Sequence, residues 1–190
     1  MTGTVQVEDL GLGGVKRITP VRHADERGYF SETYNKRTYA SAGIDLTFVQ
    51  DNHTLSRRAG VVRGLHYQLP PHGQYRLVRV LAGRIFDVAV DLRADAPSFG
   101  RHVAVTLDAA DGAQLLVPPW CGHGTMTLEP ETEVFYKVTA HYAPDHERGV
   151  RWDDPALGIA WPAPPDGDVV LSAKDRALPA LADLAAPYPA

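Results

Sequence analysis

Between residues 48 and 142, apolar and polar side chains alternate with a period of two. The alternating runs are rich in Val, Leu, Ile, Phe and Tyr, and Gly, Pro and Asp separate them. A period of two is that of a β-strand, in which successive side chains point to opposite faces. The pattern predicts about eight or more antiparallel strands in a sandwich or jelly roll, an arrangement that shortens or protects the edges of sheets.

Several of these runs are spaced as neighbouring strands. Residues 76–81 and 84–92 predict a hairpin around the alanine and glycine between them. Residues 102–107 and 113–117 predict a second pair around a turn that ends in glycine. Residues 131–142 predict one long strand.

The run from 84 to 92 has two different faces. Phe86, Val88 and Val90 lie on one face with a leucine, whereas Asp87 and Asp91 lie on the other. Because an acid on an inward face is costly, we expect the apolar face to point into the core and the two acids to point away from it.

The two ends of the chain differ from this β pattern. Residues 33–42 predict a short helix. Residues 173–184 predict a helical segment that begins after an N-cap at Ser172 and is interrupted at Pro179. Residues 155–168 contain six prolines and glycines and predict an ordered surface connection.

Length and composition favour a single domain. The chain has 190 residues, 44% of them hydrophobic, and no linker-like tract divides it. We expect one domain over residues 1–190, with a core at about 14–162 and a helical extension at about 172–185. The net charge of −4, with basic residues interspersed among acids, argues against a general nucleic-acid binder.

Other features point to a cytoplasmic protein. Cys121 is the single cysteine, so no internal disulfide is possible. The first fifteen residues lack the pattern of a signal peptide, and no stretch approaches 18 apolar residues. We therefore expect a soluble, cytoplasmic protein with no membrane partner.

The densest group of chemically capable side chains lies at residues 63–80. The segment 63–68 reads RGLHYQ and is followed at 70–80 by PPHGQYRLVRV. It places an imidazole and several guanidinium groups beside a strand-like run. Such a set is expected where a pocket binds an anion and moves a proton.

His66 and His123 raise the question of a metal. Each lies near a glycine at a predicted strand boundary, and the spacing of Gly112, Pro118 and His123 resembles the second motif of cupins. The first motif departs from that of metal-binding cupins, because His66 is followed by Tyr67 and Gln68 and no acid precedes Gly83. Two histidines alone do not make a catalytic metal site, so we expect no metal.

Six short motifs occur in one order along the chain. They are DERGYFSE at 25–32, FVQDNH at 48–53, RGLHYQ at 63–68, VAVDLR at 88–93, WDDP at 152–155 and LSAKD at 171–175. Together they resemble the dTDP-4-dehydrorhamnose 3,5-epimerase family over residues 14–179. The resemblance implies a mainly β, cupin-type antiparallel jelly roll with short peripheral helices, without a cofactor and generally homodimeric.

The resemblance also implies catalytic roles. By it, His66 is the base, Asp175 orients His66, and Tyr136 is the proton donor. An imidazole is largely a free base near neutrality, and a neighbouring carboxylate fixes its tautomer and stabilises its cation. Arg76 stands where the family usually has Lys, and is expected to stabilise enolate charge although it cannot donate a proton as an ammonium does.

Substrate contacts follow from the same resemblance. The implied residues are Arg27, Phe30, Glu32, Gln50, Asp51, Asn52, Arg63, Arg76, His123, Glu147 and Lys174. Arg63 suits a diphosphate, because a guanidinium makes paired, charge-assisted bonds to phosphate oxygens. Thr125 is a second departure, because the family commonly has an aromatic residue there.

The implied reaction converts dTDP-4-dehydro-6-deoxy-D-glucose to dTDP-4-dehydro-L-rhamnose. Three alternatives remain open: an epimerase that inverts only C3 or C5 of a dTDP-4-keto-6-deoxy sugar, a metal-dependent cupin enzyme, and a non-enzymatic sugar-binding cupin. Product stereochemistry separates the first from the implied reaction, and elemental analysis separates the second. The last is disfavoured because His66, Tyr136 and Asp175 all match catalytic positions.

Overall fold

Two antiparallel sheets make up most of the computed structural model, which describes residues 5–165, 167–185 and 187–189. The strands in chain order are β1 (Gln6–Asp9), β2 (Lys16–Thr19), β3 (His23–Asp25), β4 (Gly28–Phe30), β5 (Gln50–Ser56), β6 (Val62–Gln68), β7 (Arg76–Ala82), β8 (Arg84–Asp91), β9 (His102–Asp108), β10 (Gln114–Val117), β11 (Cys121–Thr127), β12 (Thr132–Val138) and β13 (Glu147–Gly149). The α-helices are α1 (Lys36–Ser41) and α2 (Ala173–Arg176). Short 3-10 helices lie at Pro144–His146, Pro155–Leu157 and Leu181–Asp183.

The order of strands within the sheets is that of a jelly roll. One sheet runs β1-β2-β10-β7-β12-β5, and the other runs β13-β6-β11-β8-β9. β3 and β4 pair only with each other. The expected mainly β, cupin-type jelly roll with short peripheral helices is confirmed.

The two predicted strand pairs are wrong. β7 pairs with β10 and β12, whereas β8 pairs with β9 and β11 in the other sheet. β9 pairs with β8, and β10 pairs with β2 and β7. The turns are where the sequence places them, but in a jelly roll a turn can carry the chain from one sheet to the other.

The predicted orientation of β8 is also wrong. Asp87 and Asp91 are both fully buried, and Asp87 lies on the face of Ile85 and Ala89, which belong to the core between the sheets. Val88 and Val90 point the other way, into a second cluster with residues of the C-terminal segment such as Trp161 and Leu181. Both faces of β8 are therefore covered, and the apolar face is not the one that meets the other sheet.

The ends of the chain are shorter in regular structure than expected. The helix predicted at 33–42 is confined to α1, where Asn35 is the N-cap. Ser172 caps α2 as predicted, and the helical segment is broken before a 3-10 turn. The long strand predicted at 131–142 is shorter and ends at Val138. The first strand of the sheets begins at Gln6, well before the alternating region that starts at residue 48. The connection at 155–168 is described except for residue 166.

No helix of the described residues is long and apolar enough to cross a membrane.

Asp91 holds one end of β8 through two partners. Its carboxylate accepts hydrogen bonds from Arg93 and from Ser98, the latter at 2.6 Å. Burial acts to raise the pKa of Asp91, but these hydrogen bonds outweigh burial and lower it. A group with a lowered folded pKa stabilises the fold above its unfolded pKa, and that stabilisation is lost as the pH falls.

We predict that Asp91→Asn lowers the free energy of unfolding by about 2 kcal/mol at neutral pH, because charge-assisted hydrogen bonds in a buried site are weakened. The difference from wild type should shrink as the pH falls below about 4. Urea unfolding at several pH values measures both effects. An unchanged difference across this range would show that Asp91 does not stabilise the fold through its charge.

Candidate active site

A cavity of about 450 Å³ lies between the two sheets, within the range typical of small-molecule sites. The side chains that line it are Gln50, Asn52, Thr54, Ser56, Arg63, His66, Gln68, Gln74, Arg76, Val78, His123, Thr125, Thr127, Val134, Tyr136, Tyr142, Glu147, Ser172, Lys174 and Asp175. Most are polar. The cavity therefore suits a polar, charged ligand better than an apolar one.

His66 and Asp175 form a dyad in this cavity. Nε2 of His66 lies 2.6 Å from Oδ1 of Asp175. The oxygen lies away from the axis of the ring N–H, so the contact is electrostatic rather than a linear hydrogen bond. Nδ1 of His66 has no hydrogen-bond partner among the described residues and is the nitrogen left to accept a proton.

Asp175 is held as a carboxylate by its neighbours. Burial acts to raise its pKa, but His66 and Ser172 lower it to about 2. The Ser172 hydroxyl donates to Oδ2 at 2.6 Å, and the Ser172 side chain in turn caps the helix that carries Asp175. The helix thus places a permanent negative charge behind the imidazole.

A β-bulge turns two residues of β6 toward the same cavity. In the pairing of β11 with β6, His123 lies opposite His66 and Thr125 lies opposite Arg63. Two residue steps along β11 therefore match three steps along β6. In a regular strand Arg63 and His66 would point to opposite faces. The irregularity brings the guanidinium and the imidazole to one wall.

Gly64 makes this bulge possible. Its φ is 121°, and a Cβ at this position would lie 2.5 Å from the carbonyl oxygen of His123. Only glycine fits such a conformation and such a close approach. The glycine inside the RGLHYQ motif is therefore a structural requirement of the site.

His123 is part of a second imidazole–carboxylate pair. Its Nε2 lies 2.7 Å from Oδ1 of Asp87, whose side chain is fully buried. The strand register places His123 directly across from His66. Two such pairs therefore stand side by side on the wall formed by the five-stranded sheet.

Two guanidinium groups in the cavity have no carboxylate within ion-pair distance among the described residues. Arg76 donates to the carbonyl oxygen of His66 at 2.9 Å, and Arg63 makes a long contact of 3.4 Å to Ser56. Burial lowers the pKa of Arg76, an effect opposed by the charges of Tyr136, Glu147 and Asp87. An arginine remains protonated even so, and both groups are available to an anion.

Tyr136 faces His66 from the other sheet. It lies on β12, next to the strand that carries Arg76, and its side chain lines the cavity. His66 lies on the five-stranded sheet. A ligand between the sheets therefore has the imidazole on one side and the phenol on the other.

Glu147 links the mouth of the cavity to α2. It accepts a hydrogen bond from Tyr142 at 2.6 Å and lies 2.5 Å from Nζ of Lys174. Burial acts to raise the pKa of Glu147, but Lys174, Tyr142 and the charge of His66 lower it. Tyr142 is 55% exposed, so its ring remains accessible at the rim.

The cavity gathers ten of the residues singled out in the sequence. These are Gln50, Asn52, Arg63, His66, Arg76, His123, Tyr136, Glu147, Lys174 and Asp175. Four others do not line it within the same chain. Arg27 and Phe30 lie on the exposed β3–β4 hairpin, Glu32 hydrogen-bonds Asn35 and Thr38 ahead of and within α1, and Asp51 points away and pairs with Lys137.

Asp87 and Tyr142 are the principal residues that the sequence analysis missed. Asp87 was placed outside because a buried acid is costly, and its partner is 36 residues away in sequence. Tyr142 was assigned to a long strand, whereas the chain leaves the sheet after Val138. The signal in the sequence that could have placed Asp87 inside was His123, a second histidine on the inward face of a neighbouring strand.

Among the described residues, no three His, Cys, Asp or Glu side chains are arranged to hold a metal ion.

Comparison with known proteins identifies the family. A sequence profile for dTDP-4-dehydrorhamnose 3,5-epimerase matches residues 9–183. A protein of that name from Sinorhizobium fredii is 46% identical over 177 residues, which cover 93% of this chain and 90% of the relative. These matches span nearly the whole chain.

Solved structures agree with the sequence matches. A dTDP-4-dehydrorhamnose 3,5-epimerase from Bacillus anthracis, with TDP and PPi bound, has a TM-score of 0.89 and 43% identity over 93% of this chain and 99% of its own. A dTDP-6-deoxy-D-glucose-3,5-epimerase from Legionella pneumophila, in complex with dTDP-4-keto-L-rhamnose, has a TM-score of 0.89 and 39% identity over 95% and 94%.

A single-centre enzyme has a related structure. A 3'-monoepimerase from Streptomyces bikiniensis, in complex with dTDP-quinovose, has a TM-score of 0.85 and 34% identity over 92% of this chain and 87% of its own. The two 3,5-epimerase structures, at 43% and 39% identity, are more similar to this chain in sequence. The chain belongs to the dTDP-4-dehydrorhamnose 3,5-epimerase family.

Proposed function

We propose that this chain is an isomerase that converts dTDP-4-dehydro-6-deoxy-D-glucose to dTDP-4-dehydro-L-rhamnose. One observation carries the assignment: the His66–Asp175 dyad and Tyr136 share a polar cavity with two arginines that have no carboxylate partner among the residues described. These are the parts that proton transfer beside a ketone requires. The C4 ketone of the substrate is the electron sink, so the proposed reaction uses no cofactor or metal.

His66 removes the proton in this mechanism. Each reacting C–H bond is next to the C4 carbonyl, so its loss of a proton gives an enolate. Nδ1 of His66 accepts that proton, and the ring becomes a cation. The ionised Asp175 stabilises this cation from behind, as a carboxylate does in other imidazole bases.

Tyr136 returns a proton from the other side. Epimerisation requires that the proton leave one face of the carbon and that another arrive at the opposite face. The two sheets carry His66 and Tyr136 on facing walls. A sugar ring between them is deprotonated from one side and protonated by the phenol O–H from the other.

Arg76 stabilises the enolate between these two steps. Its guanidinium lies in the cavity and is held by the carbonyl oxygen of His66. A preorganised cation at the position where negative charge develops is among the strongest sources of rate acceleration. Arg63, which is exposed at the edge of the wall that carries His66, is proposed to bind the diphosphate with paired hydrogen bonds.

The β3–β4 hairpin points to a homodimer. Phe30 is 71% exposed and Tyr29 is 58% exposed, and both lie beside Arg27 on a two-stranded sheet that pairs with no other strand. Large exposed aromatic residues favour a partner surface. We propose that Arg27, Phe30 and Glu32 reach the cavity of a second copy of this chain, with Asp51 on the adjoining outer face.

The alternative is inversion at one carbon only. The structural likeness to a 3'-monoepimerase favours it, and Arg76 and Thr125 are the positions at which this chain departs from the usual pattern of its family. Thr125 is buried in the cavity wall, and its side chain is smaller than the aromatic ring that the family commonly has there. A changed fit of the sugar can restrict exchange to C3 or to C5.

Incubation of the wild-type protein with the 4-keto sugar nucleotide in deuterated water tests the proposal. We predict that NMR finds deuterium at both C3 and C5 of the product, and that His66→Asn lowers exchange at both carbons by about 10²–10⁴-fold, because the only base is lost. Label at one carbon would establish the single-centre alternative. No exchange in wild type would contradict both.

Tyr136→Phe is the matched variant in this experiment, because it keeps the ring and removes the hydroxyl. It should reduce net inversion more than exchange, since His66 still removes the proton. Equal losses in both would show that Tyr136 positions the sugar instead of donating a proton.

Substitution of Arg76 separates charge stabilisation from binding. We predict that Arg76→Ala lowers kcat by about 10²–10³-fold, as for a lost oxyanion donor, whereas Arg76→Lys retains much of the activity because a cation remains. Steady-state kinetics must give kcat and KM separately. A raised KM with an unchanged kcat in Arg76→Ala would leave Arg76 as a binding residue.

Mixing of two inactive variants tests the dimer. His66→Asn has an intact hairpin, and the double variant Arg27→Ala/Phe30→Ala has an intact base. If hairpins act in the partner's cavity, co-refolding the two should restore roughly a quarter of the wild-type activity, the expectation for random pairing. Sedimentation analysis of each variant is the control. No recovery from a verified mixed dimer would contradict the exchange of hairpins.

A further inference from the structure

The fully buried Asp87 has no role in the mechanism described so far. One of its oxygens is 2.7 Å from Nε2 of His123, and the other has no hydrogen-bond partner among the described residues. Burying a carboxylate is expensive unless a cation or several donors compensate it. With one donor, compensation has to come from charge.

Two nearby groups can supply that charge. The ring of His123 contacts Asp87 directly, and the charge of Asp87 acts on the Arg76 guanidinium. Arg76 donates a hydrogen bond to the backbone carbonyl of His66 and has no carboxylate partner in the described ranges. Asp87 is therefore the buried anion of a cluster whose other two members, the His123 imidazole and the Arg76 guanidinium, are basic groups.

The open nitrogen of His123 faces the ligand space. With Nε2 directed to Asp87, Nδ1 has no hydrogen-bond partner within the part of the chain that the structure describes, and His123 lines the cavity. The other titratable side chains that line this cavity are His66, Arg63, Arg76, Tyr136, Tyr142, Glu147, Lys174 and Asp175. Of the carboxylates, Glu147 pairs with Lys174 and Asp175 with His66.

We propose that Asp87 is a positioning residue that holds His123 as an imidazolium, whose Nδ1–H donates a hydrogen bond to the substrate oxygen that carries the enolate charge. The inference rests on the proposed function and deepens it. The two imidazole–carboxylate pairs have the same components and different tasks. His66 must be neutral before it can accept a proton, whereas His123 must be charged before it can stabilise an oxyanion.

The solvation of the two carboxylates agrees with this division. Asp175 accepts hydrogen bonds from the Ser172 hydroxyl at 2.6 Å and from the backbone N–H of Gly64 at 3.4 Å, apart from its contact with His66. It is thus satisfied even when His66 is neutral. Asp87 has only the ring of His123, so the pair depends on the charge of that ring.

Kinetics of Asp87→Asn test the proposal in the full-length protein. Asn keeps the shape and can still accept from Nε2–H, but the negative charge is gone. We expect kcat to fall by about 10²-fold with little change in KM, and His123→Ala to lower kcat by about 10²–10³-fold. Because Asp87 acts through His123, the double variant should be no slower than His123→Ala.

Asp91→Asn is the matched control. Asp91 is a second fully buried acid on β8, bound to Arg93 and Ser98 and outside the cavity. The Asp91→Asn variant should have a lower melting temperature than wild type and an unchanged kcat. The positioning role is wrong if Asp87→Asn likewise lowers only the melting temperature. It is also wrong if the fall in kcat caused by Asp87→Asn adds to the fall caused by His123→Ala.

Nitrogen-15 NMR of histidine-labelled protein provides a measurement without a variant at Asp87. The His123 signals, assigned by their loss in His123→Asn, should show both ring nitrogens protonated in wild type at the pH of the assay. A neutral ring would overturn the proposal even if Asp87→Asn fails to fold. A wild-type protein with a charged ring but no exchange on any 4-keto sugar would contradict the proposed function instead.

Discussion

Charges that cannot reach water have to be compensated inside the fold, and this constraint shapes the space between the two sheets. The cavity wall carries two imidazoles and two guanidiniums within a few strands of one another. Each imidazole has a carboxylate behind it, from α2 for His66 and from β8 for His123. Among the described residues the two guanidiniums have no carboxylate within ion-pair distance, so both are available to an anionic ligand.

The jelly roll suits this arrangement because it sets two rigid walls against each other. The five-stranded sheet supplies both imidazoles, and the six-stranded sheet supplies Tyr136 and Arg76. Neither wall depends on a flexible loop, since the groups lie on strands whose neighbours fix them on both sides. A bulge at Gly64 corrects the one place where strand periodicity would have turned Arg63 and His66 apart.

The sequence predicted the class of fold and most of the cavity, because strand alternation and short motifs are local signals. It failed where the answer depends on which sheet a strand joins. The turn at Gly83 was correctly located, yet the chain passes there into the other sheet. Asp87 was assigned to the wrong face because the rule against buried acids takes no account of a distant histidine, and the apolar face of β8 is covered by a segment that follows it by some distance in the chain. Arg27 and Phe30 lie on an exposed hairpin outside the cavity of their own chain, and no local signal in the sequence separates such residues from those that line the cavity.

The order in which the chain is made gives α2 a further significance. Every strand of both sheets lies before residue 150, but the carboxylate behind His66 comes from Asp175. During synthesis the sheets can close on their core while α2 is still inside the ribosome. A nascent chain at that stage would carry Arg63, Arg76 and His66 without the counter-charge of Asp175. The arginines proposed to bind an anion thus emerge before the carboxylate proposed to assist His66.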